Sequence, residues 1–274
     1  MFVAVKNLDF DYVPGVRVLR EIGLSLEKGE TMAIVGSSGC GKSTILRLLS
    51  GILPGGTDQK VGGSIAIDGM TPDEYRRKGR LAFMFQEPTL MPNLSVRDNV
   101  AFPLKMRGTR SDATVDELIE TVGLSEYTSY LPKQLSGGMK TRVALARSFV
   151  TGPELLLLDE PFSALDIARK SKLYIELERL VEQFGTTVVF VTHDVQEALL
   201  LSNNVLVMGS NGNVKSTYKI RSERSVTDRV KDISGYMKDV YQGYMLPIQD
   251  ALMNGESRLN ALPSNGTERV LDRD

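Results

Sequence analysis

The sequence is poor in several residues that usually carry chemistry. Its 274 residues include one cysteine, one histidine and no tryptophan. The single cysteine, Cys40, excludes an internal disulfide framework and fits a reducing compartment. One Cys with one His cannot close a structural zinc site of the usual kind. Any histidine chemistry must therefore run through His193. Lys and Arg number 33 against 34 Asp and Glu, so no basic surplus exists for general nucleic-acid binding. Long apolar runs are missing too. Leu155–Leu158 and Val188–Val191 are strand-length, far short of the roughly 18 residues of a membrane span. The N-terminus alternates apolar and polar residues like a strand, without the basic and apolar regions of a secretory signal. The chain reads as soluble, with any membrane role supplied by a partner.

What is present is an α/β pattern with enough apolar content, 42%, for a sizeable core. Strands are expected at Val3–Phe10, Val18–Leu26, Thr31–Val35, Ser64–Ile67 and Leu81–Phe85, separated by turn residues such as Pro14-Gly15, Lys28-Gly29 and Gly62-Gly63. From about Ser95 to Val150 the pattern turns helical, most clearly at Asp116–Val122 and Gly138–Val150. Further on, strands at Leu155–Asp159, Thr187–Val191 and Val205–Met208 alternate with helices at Ile167–Phe184 and Val195–Leu201. Fully apolar strands alternating with helices predict a parallel sheet covered on both faces, here with a helical insertion. Val226, Val230, Ile233, Met237, Val240 and Tyr244 form the stripe of an amphipathic helix, which packing on its own domain would explain. Pro247 should end or kink that helix, and the polar residues from Asn254 onward should form a frayed tail.

One stretch carries specific chemistry. Gly36-Ser37-Ser38-Gly39-Cys40-Gly41-Lys42-Ser43 satisfies G-x-x-x-x-G-K-[ST], between a predicted strand and a predicted helix. Its glycines let backbone N–H groups converge on phosphate oxygens, and the helix N-terminus adds positive potential. Thr44 continues the same run. Lys42 would reach the β- and γ-phosphates, and the Ser43 hydroxyl would coordinate Mg2+. Cys40 is a small filler there, with a neighbourhood that predicts thiol modification slowed by bound ATP. The apolar run Leu155–Leu158 ends in Asp159-Glu160, two carboxylates delivered beside the loop. Asp159 would hold Mg2+, and Glu160 would polarise an attacking water as general base. These features define only an Mg-nucleotide P-loop protein. A small-molecule kinase, a GTPase or a motor fits equally well.

The next motif narrows the choice. Leu135-Ser136-Gly137-Gly138-Met139 opens a predicted helix, an arrangement suited to binding an anion, although a simple N-cap role for Ser136 fits the same pattern. With this motif the chain resembles the ATP-binding subunit of an ABC transporter, from Val3 to about Lys219. The family's motifs occur in order: the P-loop, the Q-loop glutamine Gln86, the signature Leu135–Met139, Walker B at Leu155–Glu160, the D-loop Ser163-Ala164-Leu165-Asp166 and the switch histidine His193.

The resemblance implies a RecA-like P-loop NTPase parallel-sheet core with an N-terminal antiparallel β subdomain and an inserted α-helical subdomain at about residues 88–150. The ATPase domain would span residues 1–220, followed by a helical extension at 221–253 and a flexible tail at 254–274. It also implies a head-to-tail dimer, with each ATP on one P-loop and capped by Ser136, Gly137 and Gly138 of the other copy. Tyr12 would stack on adenine, and Asp166 would join the nucleotide site from the D-loop. Gln86 would sense the γ-phosphate, contribute to the Mg2+ site and begin a loop facing a membrane subunit, with Leu90 and Met91 exposed to the partner. His193 would sense the γ-phosphate near Glu160. Leu90–Val100, Met139 and Pro161-Phe162 look most like bacterial importers of the nitrate, sulfonate and taurine group, although Lys140-Thr141 departs from the commoner residues. Implied partners are transmembrane permease subunits and a solute-binding protein, with the ATPase at the cytoplasmic face of the membrane. A non-transport ABC ATPase of translation or DNA repair is the alternative; the charge balance and the lack of a second cassette disfavour it.

Overall fold

The computed structural model describes residues 1–52, 60–163, 165, 167–220 and 224–253. Strands β1 (Val3–Val13) and β2 (Val16–Leu26) precede β3 (Thr31–Val35), which leads into α1 (Lys42–Ser50). Next come β4 (Lys60–Ile67), α2 (Pro72–Arg77), β5 (Leu81–Met84), and the helices α3 (Val96–Met106), α4 (Asp112–Thr121) and α5 (Gly137–Phe149). The chain then alternates through β6 (Leu155–Asp159), α6 (Ile167–Phe184), β7 (Thr187–Thr192), α7 (Val195–Leu201), β8 (Asn204–Met208) and β9 (Val214–Lys219). Helices α8 (Val226–Lys231), α9 (Ile233–Val240) and α10 (Leu246–Met253) close the described chain.

Two sheets form. The antiparallel one has the order β2-β1-β4, and the larger one the order β5-β6-β7-β3-β8-β9, parallel except for β9. Period-two alternation splits the buried strands between two cores. Ala33, Val35, Leu156, Leu158, Val188 and Phe190 face the helical side with α3 to α10. Met32, Ile34, Leu155, Leu157, Val189 and Val191 face α1 and the antiparallel sheet. This double coverage is why β6 and β7 read as unbroken apolar runs. Among the described residues, no helix is long and apolar enough to cross a membrane.

The strand order positions the chemistry. β7 lies between β3 and β6, so three neighbouring strands send the P-loop, His193 and Asp159-Glu160 to one edge of the sheet. β5, on the far side of β6, sends Gln86 to the same edge. Helices α3 to α5 are inserted between β5 and β6, which are adjacent in the sheet. Each starts on a serine: Ser95, Ser111 and Ser136 accept from the amides of Asp98, Thr114 and Met139. Such caps set the true starts, so α4 begins at Asp112 rather than Asp116 and α5 at Gly137 rather than Gly138.

Two expectations fail. Gly62-Gly63 does not separate strands; it lies inside β4, which starts at Lys60 rather than Ser64. There the pairing with β1 skips between Lys6 and Asp9, and Gly63 takes φ +76° hard against the backbone of Lys6 and Asn7, a bulge that only glycine fits. The C-terminal stripe is also not one helix. Asp232 caps α9 by accepting from the Gly235 amide, and this breaks the helix after Lys231. A π-turn at Tyr241–Met245 then feeds α10. Pro247 does not end the helical run, which continues through α10; the distortion lies just before it, in the π-turn, where the Leu246 amide reaches back to the Tyr241 carbonyl. The stripe does bury itself: Val230 and Val240 join the helical-side core, and Val226, Ile233, Met237 and Tyr244 are half-buried against it. The 254–274 tail lies outside the described residues.

Candidate active site

The P-loop is shaped by its glycines. Gly39 and Gly41 adopt φ +80° and +101°, and a Cβ at Gly36 would strike Cys40 Sγ and the Met208 carbonyl. Ser37, Ser38 and Gly39 are exposed, whereas Gly36, Cys40, Gly41, Lys42 and Thr44 are buried. The Cys40 thiol points into the core, 2% exposed, and burial pushes its pKa up against the pull of Lys42. The reactive-thiol expectation is therefore corrected: the Cys40 side chain is a core filler and not an accessible thiolate. α1 starts from Gly41 with no side-chain cap and no acidic residue in its first turn, leaving its first amides open to an anion. Lys42 Nζ donates to the carbonyls of Gly36 and Ser37, 2.9 Å each, and so folds over the mouth of the loop.

Two oxygen donors meet beside it. The Ser43 hydroxyl donates to Asp159 Oδ1 at 2.7 Å. Burial pushes the Asp159 carboxyl up, opposed by that hydrogen bond and by Arg47. A hydroxyl next to a buried carboxylate fits a hard divalent cation whose remaining ligands come from phosphate and water. Among the described residues no cluster of three or more His, Cys, Asp or Glu side chains forms a protein-only cage.

Glu160, the next residue, has φ +44°, a left-handed conformation unusual for glutamate. Its amide donates to the Val191 carbonyl, and its own carbonyl accepts from the Ser163 amide and hydroxyl. These bonds hold the turn that brings its carboxylate to His193, with Nδ1 to Oε2 at 3.4 Å. The His193 ring is otherwise open, with its side chain 64% exposed.

Tyr12 stands beside the P-loop exit. Its hydroxyl shares a 3.0 Å hydrogen bond with Thr44 Oγ1, and its ring meets Phe10 edge-on. Gln86 is exposed after β5 and has no hydrogen bond to the Ser43–Asp159 pair. In the loop that follows, Met91 is exposed, but Leu90 packs against the helical-side core, which corrects the expectation that both are free. Asp166 and Ala164 lie outside the described residues.

The signature is not with the P-loop. Ser136 and Gly137 are exposed and Gly138 half-buried at the start of α5, which packs on α3, α4, α6 and β5. α5 buries its apolar face in the helical-side core and α1 in the opposite core, so the helices behind the two motifs lie on different faces of the sheet. Several supporting residues escaped sequence reasoning. Asn99, fully buried, donates to the carbonyls of Met91, Leu94 and Ser95 and accepts from the Met91 amide, fixing the loop after Gln86. Arg147 of α5 donates to the Thr89 carbonyl. Glu197, buried, accepts from Lys170, Tyr174 and Thr192. A buried Asn or Glu has no local pattern that marks it; only the placement of Glu197 four residues after His193 hints at a link.

With this geometry in hand, the comparisons decide the family. Residues 19–163 match the family described as ABC transporter. The chain belongs to the ABC transporter ATPase family. This ABC ATPase is 46% identical over 197 residues to the aliphatic sulfonates import ATP-binding protein SsuB 1 of Xanthomonas axonopodis pv. citri, covering 70% of the chain and 75% of that protein. It is 43% identical over 201 residues to the spermidine/putrescine import ATP-binding protein PotA of Chromobacterium violaceum, covering 72% of the chain and 54% of that protein. Among solved structures, it matches the ATP-binding cassette MJ0796, a dimer in a post-hydrolysis state bound to ADP and Pi. That match has a TM-score of 0.70 and 31% identity, and covers 80% of this chain and 99% of the other.

Proposed function

We propose that this ABC ATPase powers an importer as a head-to-tail pair, each ATP held by the P-loop of one copy and closed by Ser136, Gly137 and Gly138 of the other. One observation carries this reading. A P-loop with open amides and a signature with exposed donors face the solvent from separate parts of one chain, and neither encloses a nucleotide alone. Two copies turned head to tail would complete both sites, so ATP would stabilise only the closed pair. The similar MJ0796 cassette is described as dimeric, which supports a pair. In this reading residues 1–220 form the ATPase unit and 221–253 an extension.

The chemistry follows from the residues. On ATP binding, the Lys42 ammonium would exchange its two loop carbonyls for β- and γ-phosphate oxygens. Ser43 and Asp159 would hold Mg2+, with Gln86 entering from β5; the ion neutralises charge on the phosphate oxygens. The Glu160 carboxylate takes the proton from the attacking water as its oxygen bonds the γ-phosphorus in line, and the bond from that phosphorus to the β-phosphate oxygen breaks to release ADP and phosphate. His193, 3.4 Å from that carboxylate, holds its orientation and reads the γ-phosphate. Tyr12 would lie under adenine.

The membrane role rests on the relatives. They are named for sulfonate and for polyamine import, so at more than 40% identity the solute differs while the ATPase is retained. Solute choice then belongs to permease subunits and a solute-binding protein, with this chain at the cytoplasmic face. The SsuB relatives, together with Met139 and Pro161-Phe162, favour a sulfonate- or taurine-like anion. Glu160→Gln should lower turnover about 10²- to 10⁴-fold and, with ATP, shift the chain from monomer to dimer by light scattering. A monomer at saturating ATP would reject the paired site, and undiminished hydrolysis would reject Glu160 as base. Co-purification of an integral membrane protein from solubilised membranes tests the importer reading; ribosomes or DNA in its place would overturn it.

A further inference from the structure

The His193 ring is set oddly for a residue that must sense a phosphate. Its side chain is 64% exposed, and it pairs with Glu160 at 3.4 Å, so packing around the ring does little to fix it. Its placement has to come from the backbone on either side. On the N-terminal side the Thr192 hydroxyl donates to buried Glu197 at 2.6 Å and accepts from the Asp194 amide at 3.0 Å. On the C-terminal side Asp194 caps α7, accepting from the Gln196 amide at 2.8 Å. The position of α7 therefore sets the position of His193.

α7 has seven residues, too few to hold itself as a helix. The carbonyls of its last turn lack partners within the helix. The C-terminal extension supplies them. Arg229 of α8, 5% exposed, donates from Nη1 to the Leu200 carbonyl at 3.1 Å and to the Leu199 carbonyl at 3.5 Å, and from Nε to the Arg224 carbonyl at 3.0 Å. Its guanidinium also lies over the Tyr236 ring, 5.3 Å from the centroid. The Tyr236 hydroxyl of α9 donates to the Leu199 carbonyl at 3.1 Å. A buried cation at the negative end of α7 is well matched in sign. The other end of α8 is tied down as well: Glu178 of α6 accepts from the amides of Val226 and Thr227 and from the Thr227 hydroxyl. α6 in turn sends Lys170 and Tyr174 to Glu197 of α7. α6, α7 and α8 are thus bonded to one another in a closed triangle.

We infer that Arg229 and Tyr236 are positioning residues for hydrolysis: by clamping the end of α7, the C-terminal extension holds His193 in register with Glu160. This rests on the reading of His193 and Glu160 as the hydrolytic pair. The extension is then part of the ATPase and not an appendage to it.

The lone histidine makes the test direct, because a histidine-labelled chain has a single imidazole signal. Tyr236→Phe removes one hydrogen bond and keeps the ring, and Arg229→Met keeps the buried stem without the fork. In the full-length protein with Mg-ATP, kcat should fall about fivefold in Tyr236→Phe and about 20-fold in Arg229→Met, roughly the loss of one and of two hydrogen bonds to α7 carbonyls. KM for ATP should stay within about twofold, and the imidazole signal should shift or broaden. Arg229→Lys, which still reaches one carbonyl, should recover part of the loss. If Arg229→Met does not fold, Tyr236→Phe carries the test alone. Folded variants with wild-type kcat and an unmoved imidazole signal would overturn the clamp, as would a KM change with the signal unmoved. His193→Ala separates the two readings. Full activity in that variant sinks the hydrolytic assignment of His193, whereas an inactive His193→Ala beside indifferent clamp variants sinks only the clamp.

Discussion

The P-loop and the signature both offer helix N-termini to an anion, yet they are built in opposite ways. The P-loop is sunk into the core: Gly41, Lys42 and Thr44 are buried, and Lys42 satisfies itself on two loop carbonyls. The signature is open, with Ser136 and Gly137 exposed on a helix whose packing lies behind them. On the proposed reading this contrast divides the work: the P-loop would bind and the signature would close. Substitutions should therefore act on binding and stability in the first half and on turnover in the second.

Gly137→Asp should have the largest effect on turnover. A Cβ at Gly137 meets no atom within 4 Å, and an acid in the first turn of α5 suits the helix dipole. The fold should keep its stability or gain slightly, and ATP should still bind the P-loop. Turnover should fall by about 10²-fold or more, because in the proposed pair a carboxylate would face the phosphates. Equal turnover would break the comparison.

Gly41→Ala should do the reverse. Its φ of +101° disfavours a side chain, and the added Cβ would strike the Leu19 side chain and approach the Val18 carbonyl at 3.3 Å. The expected cost is about 2–3 kcal/mol of stability, read by denaturant unfolding. A variant as stable as the wild type would show that the P-loop half is not held in its shape by the surrounding core.

The smallest effect is a pH dependence seated behind the signature. Glu176 of α6 pairs with Arg142 of α5 at 3.3 Å without a hydrogen bond to Oε2. Burial outweighs the attraction of Arg142, Lys172 and Arg179 and lifts its carboxyl to about 7. The folded state then holds this proton more tightly than the unfolded chain does. The stabilisation is complete below the ordinary carboxylate range and is lost as pH rises toward about 7. Glu176→Gln should flatten that part of the stability profile and raise stability above pH 7 by about 1–2 kcal/mol. An unchanged profile would remove Glu176 as the titrating group.

The sequence revealed these halves unequally. The P-loop and Asp159-Glu160 are legible because each is a short run whose chemistry depends on neighbours in the chain, and the apolar strands before them reveal the sheet. The separation of signature from P-loop is not legible, since it depends on α5 and α1 packing on opposite faces of the sheet. Long-range polar contacts are hidden for the same reason. Arg229 lies 30 residues from the Leu199 carbonyl it reaches, and Glu178 lies 48 from Val226. The C-terminal stripe shows its buried face in the periodicity, but the break at Asp232 and the π-turn at Tyr241–Met245 follow from local backbone bonds that apolar spacing does not record. Cys40 shows the limit most simply: its place in the motif is evident, and which way its thiol points is not.

The central claim is that a working site takes its P-loop from one copy and its signature from another. The direct measurement mixes two inactive variants, Lys42→Ala and Gly137→Asp, and follows ATP turnover as their ratio is varied. A mixed pair contains one site in which an intact P-loop faces an intact signature, so activity should reappear and peak near equal amounts. A mixture that stays inactive at every ratio, while Gly137→Asp alone still binds ATP, would contradict the account.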